Sequence, residues 1–162
     1  MCLRRGAQGA AGTHCAPIGC LELEFVGQSH NFDPCMQEAV NFFEKQEDVA
    51  MAFLYGSRAR DEAQAASGSD WDFALSFVNE LPAQLDRLAR MERMKSELSA
   101  ALGISGAVID LVDLRRVPIG LCITVAEEGR ILKGHRSLDL FRFYQRAWSA
   151  QEEFHFRKAH GL

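Results

Sequence analysis

The chain lacks any run of about 18 consecutive apolar residues, so no part of it reads as a membrane-spanning helix. Its first residues lack the continuous apolar stretch of a secretory leader. The five cysteines, Cys2, Cys15, Cys20, Cys35 and Cys122, are odd in number and irregularly spaced, which speaks against a disulfide framework. Excess positive charge is absent too. With 18 Lys and Arg against 22 Asp and Glu the net charge is −4, which argues against broad charge-driven binding to nucleic acid and leaves room only for a local basic patch. These absences point to a soluble cytoplasmic protein, and 162 residues is the length of one domain with a real core.

The beginning of the chain has little to fold with. Residues 1–20 are rich in glycine and alanine and carry no hydrophobic period, so they are expected to form a flexible tail, dispensable in a chain that starts near Leu21. His14, Cys15 and Cys20 have no second ligand pair at finger spacing, and zinc is not expected there. The domain is expected over 21–162. Leu21 to Val26 alternates as a short strand would, and Asp33 with Pro34 reads as an N-cap and first helical residue of a helix reaching about Gln46, with Met36, Val40 and Phe43 on one face.

What the chain does have is concentrated between Tyr55 and Leu75. An apolar strand, Asp48 to Tyr55, runs into Gly56 and Ser57, then a short stretch containing Arg58 and Arg60, an alanine-rich connection, and a second strand at Trp71 to Phe77. Glycine at a strand-to-helix turn lets a phosphate approach the backbone, where free helix amides and the Ser57 hydroxyl can meet it. On the second strand Asp70, Asp72, Ala74 and Ser76 share one face, and Trp71, Phe73, Leu75 and Phe77 the other. One face is thus expected to be core and the other open. Carboxylates at i and i+2 stand roughly 6.6 Å apart along a strand and repel one another unless a cation lies between them. Mg²⁺ is the natural choice, since it combines one or two carboxylates with substrate phosphate oxygens.

Beyond Pro82, Leu85, Leu88, Met91, Met94 and Leu98 recur at helical spacing up to Gly103, as the core face of a helix packed on the sheet. Ala107 to Leu114 reads as a third strand. If its Ile109 and Leu111 join Trp71 and Phe73 in the core, Asp110 falls on the face of Asp70 and Asp72 and becomes a third acid. Asp113 lies on the opposite face near the strand end, where it suits a capping role. A helix is expected from Pro118 to Glu128, an edge strand at Arg130 to Lys133, and a last helix from Ser137 with Leu138, Phe141, Tyr144 and Trp148 as its core stripe.

Gly56-Ser57, a short helix, then Asp70-Trp71-Asp72 resembles the nucleotidyltransferase superfamily that includes DNA polymerase beta. More narrowly, Gly56-Ser57-Arg58-Ala59-Arg60 with Ser69-Asp70-Trp71-Asp72 resembles the minimal nucleotidyltransferases, the MNT-domain antitoxins that pair with HEPN-domain toxins. The likeness covers roughly Asp33 to the C-terminus. It departs in two places: Asp61 stands where many relatives have glycine, and the connection from Ser57 to Asp70 is about two residues longer, through Ala63 to Gly68. The resemblance implies an α/β fold of α+β type, a small mixed β-sheet with helices packed on one face. It implies two Mg²⁺ ions on Asp70, Asp72 and Asp110 and the phosphates of ATP on Gly56, Ser57, Arg58 and Arg60. It further implies transfer of AMP to a tyrosine hydroxyl of a HEPN ribonuclease toxin, in a hetero-oligomer, with autoregulatory DNA the one nucleic-acid contact to consider. Two other classes stay open: a nucleotidyltransferase acting on a small molecule or RNA, and an antitoxin that neutralises its partner by binding alone.

Overall fold

The computed structural model describes residues 34–60, 69–79 and 83–161. All belong to a compact unit that runs from Asn31 to Leu162. The tail at 1–20, the strand at Leu21 to Val26, the cap at Asp33 and the longer connection at Ala63 to Gly68 lie outside the described residues.

Among the described residues, five α-helices and four strands follow in the order α1 (Pro34–Glu44), β1 (Val49–Tyr55), α2 (Ser57–Arg60), β2 (Trp71–Phe77), α3 (Gln84–Leu102), β3 (Ile109–Asp113), α4 (Ile119–Glu128), β4 (Arg130–Lys133) and α5 (Leu138–His160). The strands form one mixed sheet in the order β3-β2-β1-β4. β2 lies antiparallel to β1 and parallel to β3, while β4 closes the other edge antiparallel to β1. The mixed α/β sheet and the edge position of β4 agree with the sequence reading. Among the described residues no helix is long and apolar enough to cross a membrane.

Alternation along the strands sends two apolar sets to opposite faces. On one face Leu54, Trp71, Phe73, Leu75 and Ile109 pack with Met36 and Phe43 of α1 and Met94 and Leu98 of α3. Phe43 and Phe73 meet with ring centroids 5.6 Å apart. Burying a side chain of this size stabilises the fold by about 2–3 kcal/mol. This is the helical layer that the sequence leads one to expect.

The other face is covered as well along part of its length. Met51, Phe53 and Ala74 pack there with Cys122 and Val125 of α4 and Leu140 and Phe143 of α5. Ala74 and Ser76, expected on an open face, are therefore buried, and that face is exposed only toward Asp70 and Asp72. Alternation identifies which residues share a face, but not how far a later helix will reach across it.

One boundary and two buried stripes differ from the sequence reading. Gly106–Val108 form a 3-10 turn before β3, because the Ser105 hydroxyl accepts the Ala107 N–H and starts a turn where a strand was expected. In α3, Leu85 and Leu88 are exposed while Met94, Leu98 and Leu102 are buried. A helix of 19 residues is about 28 Å long, more than a five-residue β3 of about 17 Å can cover. In α5 the buried stripe is Leu140, Phe143 and Ala147, with Leu138, Phe141 and Trp148 outside it and Tyr144 half-buried.

Candidate active site

The register of the sheet brings the acids together. Across β1, β2 and β3 the residues Tyr55, Asp72 and Asp110 are direct partners, so their side chains leave the same face in one row. Asp70 precedes β2 by one residue and is exposed. Asp113 turns to the opposite face, as the alternation requires. There its carboxylate accepts the Arg115 N–H at 3.0 Å and lies 3.9 Å from the Arg87 guanidinium, which makes it a turn cap.

The electrostatics follow from the row. Partial burial pushes the Asp72 carboxyl above its ordinary value, and the charges of Asp110 and then Asp70 push it further, while Arg58 pulls it back. Asp72 thus feels the charge of both other acids. One Asp110 oxygen accepts the Leu111 N–H at 3.0 Å, which fixes the carboxylate on the exposed strand.

Gly56 touches this group. It has φ +74, a left-handed conformation that glycine adopts without strain, and a Cβ built on it would lie 2.3 Å from Asp72 Oδ2. Only a residue without a side chain leaves the carboxylate where it is. Ser57 opens α2 beside it and is exposed.

The two arginines of the motif are engaged by protein groups. Arg58 donates twice to the Ser69 carbonyl, at 3.0 and 2.8 Å, with its guanidinium carbon 4.4 Å from the Trp71 ring centre. It ties α2 to the residue before Asp70. Arg60 pairs with Glu128 of α4 at 3.1 Å, and Arg130 Nε donates to the Ala59 carbonyl at 2.7 Å. The short helix α2 is thereby fastened at both ends.

Among the described residues no three acidic, histidine or cysteine side chains are drawn together tightly enough to form a ready-made metal cage. Mg²⁺ does not require one, because it keeps several waters and completes its shell with substrate phosphate. An all-oxygen donor set of spaced carboxylates, with Asp72 destabilised by its neighbours' charge, fits such a hard cation and would not suit a softer metal. Asp70, Asp72 and Asp110 are the residues that could hold it.

Tyr55 is the member of the row that sequence reasoning passed over. Its phenol is pushed up to about 12, mainly by burial and further by Asp72 and Asp110. Tyrosine at a strand end reads as core, and only the pairing of Tyr55 with Asp72 reveals its place among the acids.

Residues 37–137 match the family model described as polymerase beta nucleotidyltransferase, a span holding every motif residue named above. No functionally characterised protein sequence matches the chain significantly. Among solved structures, a toxin–antitoxin complex with AMP-PNP is similar at TM-score 0.58 and 22% identity, over 76% of this chain and 93% of that one. The MntA–HepT toxin–antitoxin is similar at TM-score 0.53 and 21% identity, over 77% and 92%. A Shewanella oneidensis complex of a tri-AMPylated HEPN toxin with an MNT antitoxin is similar at TM-score 0.53 and 23% identity, over 76% and 93%. At these identities the likeness shows a shared fold.

Proposed function

This chain belongs to the polymerase beta nucleotidyltransferase family, and from that premise we propose that it is the antitoxin of a toxin–antitoxin pair. In this reading it transfers AMP from ATP to a tyrosine hydroxyl of a HEPN ribonuclease, silencing the toxin within a hetero-oligomer. The observation that carries the proposal is the Asp72–Asp110 pair with Gly56 packed against Asp72. Solved complexes of the same fold, one with AMP-PNP and one with a tri-AMPylated HEPN toxin, support this reading of the substrate class and the partner. A site that consumes ATP and free thiols at Cys35 and Cys122 suit the cytoplasm.

Asp70, Asp72 and Asp110 would hold Mg²⁺, two ions in the full reading, which would supply neutralising charge to the phosphates and a lowered pKa to the attacking hydroxyl. The chain's own residues do the rest. Gly56 leaves room for the phosphates to approach, and the Ser57 hydroxyl donates to them. Arg58, held on Ser69 and Trp71, keeps Asp70 and the α2 turn in place and adds positive charge near Asp72. Asp110 faces the acceptor and takes the proton of the tyrosine as its oxygen bonds to the α-phosphorus. The α–β phosphoanhydride bond breaks, and pyrophosphate leaves toward Gly56 and Ser57. Positioning and electrostatics carry such a transfer without a covalent enzyme intermediate.

The test incubates the protein with labelled ATP, Mg²⁺ and a candidate HEPN partner. Label on a partner tyrosine that disappears with Asp70→Ala plus Asp72→Ala is the expected result. Label only on small hydroxyl compounds or RNA would move the reaction to another acceptor. Neutralisation that survives the double substitution would reduce the chain to a binding antitoxin.

A further inference from the structure

About 13 Å along β2 from Asp72, on the same sheet face, lies a cavity of about 190 Å³ between the sheet and α5. Arg115, Arg142 and Arg146 line it with a single carboxylate, Asp139. Arg115 Nε donates to the Ser76 hydroxyl at 3.1 Å, and that serine is 3% exposed. Arg146 donates to the Leu114 carbonyl at 3.3 Å and to the buried Cys122 sulfur at 3.6 Å. Both side chains are exposed, and their guanidiniums are held by neutral acceptors rather than by a carboxylate. Arg142 stands one turn before Arg146 on α5 and faces the same space.

Like Arg58 on the Ser69 carbonyl, these arginines are held without an acid, unlike others in the molecule. Arg60, Arg90 and Arg157 each pair with a glutamate or aspartate, in a chain where acids outnumber bases. Among the described residues, the three arginines of the cavity have no carboxylate partner at ion-pair distance. Two anchored guanidiniums and the exposed Arg142 place three like charges beside one acid, and a bound dianion would offset their mutual repulsion, which solvent only partly screens.

We propose that this cavity is a second anion site, built for phosphate or the phosphate end of a small monoester. The charge balance of three guanidiniums against Asp139 matches a dianion. Planar guanidinium forks match the oxygens of a phosphate. The volume falls below the roughly 300 Å³ at which pockets begin to hold drug-sized molecules and suits a group the size of phosphate. A bound phosphate would link α5 to the turn after β3 and stiffen the layer over Phe53 and Phe143.

Calorimetric titration tests this without divalent cation, using sodium phosphate and glycerol phosphate against sodium chloride at matched ionic strength. Saturable binding of phosphate is expected, and the glycerol phosphate arm shows whether the ester or the free ion is preferred. Arg142→Ala should weaken it by about tenfold or more, because Arg142 is exposed and its loss leaves the fold intact. Arg142→Lys should retain part of the affinity. No saturable binding, or equal binding by the wild type and Arg142→Ala with both melting alike, would overturn the proposal. So would an Arg142-dependent affinity for single-stranded oligonucleotide far above that for phosphate, which would make the arginines a nucleic-acid surface.

Discussion

Substituting Gly56 by alanine tests the site through its least reactive member. The backbone there has φ +74, which costs an L-residue about 1–2 kcal/mol, partly offset by about 0.4–1 kcal/mol from the reduced freedom of the unfolded chain. A net loss of about 0.5–1.5 kcal/mol lowers the melting temperature by about 2–7 °C in a domain of this size. The second effect is local. The added Cβ would meet Asp72 Oδ2 at 2.3 Å, whereas ordinary contacts begin at 3.4 Å, so the carboxylate must retreat by about 1 Å. A displacement of that size in a reacting geometry costs about a hundredfold in rate.

Gly103 supplies the control. It has φ +65 at the end of α3 with nothing within 4 Å of its would-be Cβ, so Gly103→Ala carries the same backbone strain and no encounter with an acid. Melting followed by circular dichroism should show similar losses for both variants. The proposed AMP transfer to a HEPN partner, measured well below either melting temperature, should fall about a hundredfold for Gly56→Ala and stay near wild type for Gly103→Ala. Equal transfer rates for the two would refute the claim that Gly56 is glycine for the sake of Asp72.

Other consequences follow from the same contacts. Burial and the charges of Asp110 and Asp70 raise the Asp72 carboxyl, so folding penalises its ionised form; the penalty is absent below the unfolded value of 3.8 and complete once pH passes the folded one. Metal-free Asp72→Asn should thus melt above wild type at pH 7, with the gap closing below about pH 4. Asp72→Asn and Asp110→Asn should both lose transfer, and thermal denaturation of Asp72→Asn in EDTA checks the gain in stability. Tyr55, with its phenol at about 12, stays protonated throughout the working range, so Tyr55→Phe should leave the shape of the pH–rate profile unchanged up to about pH 10. Loss of an alkaline limb in that variant would contradict the assignment.

Arg90 binds Asp48 through two hydrogen bonds at 2.7 and 3.1 Å and holds its carboxyl below the ordinary value. The stability this contributes is present above 3.8 and lost as pH falls through the folded value. Because the Asp48 side chain is 42% exposed, solvent screening limits the pair to about 1 kcal/mol. Arg90→Ala should lower the melting temperature by about 3–6 °C at pH 7, less at 1 M salt, and less near pH 2, where only the bond from Arg90 to the Gln46 Oε1 at 2.7 Å is left to lose.

What the sequence could reveal depended on the kind of regularity involved. Strand alternation is strict, so once Ile109 and Leu111 are taken to join Trp71 and Phe73 in the core, Asp110 falls on the face of Asp72 and Asp113 on the other, and the register of β2 with β3 agrees. Glycine and proline punctuation located the ends of α3 and α4. Tyr55 stayed hidden because its meaning depends on pairing with Asp72 across an antiparallel register, which the residues between them do not encode. The stripe of α5 was ambiguous for a different reason. Leu138, Leu140, Phe141, Phe143, Tyr144, Ala147 and Trp148 supply two overlapping apolar stripes, and the choice between them is made by Phe53 and α4. Phe143 packs on Phe53 with ring centroids 5.2 Å apart, and that contact turns Phe141 and Trp148 outward. The arginine cavity was illegible for the same reason: Arg115 and Arg146 come from elements separated by α4 and β4. They meet only because α5 lies back over the sheet. A chain fixes its local periods in advance, but charges brought together by docked helices are an outcome of packing, and in this molecule they include the second site proposed.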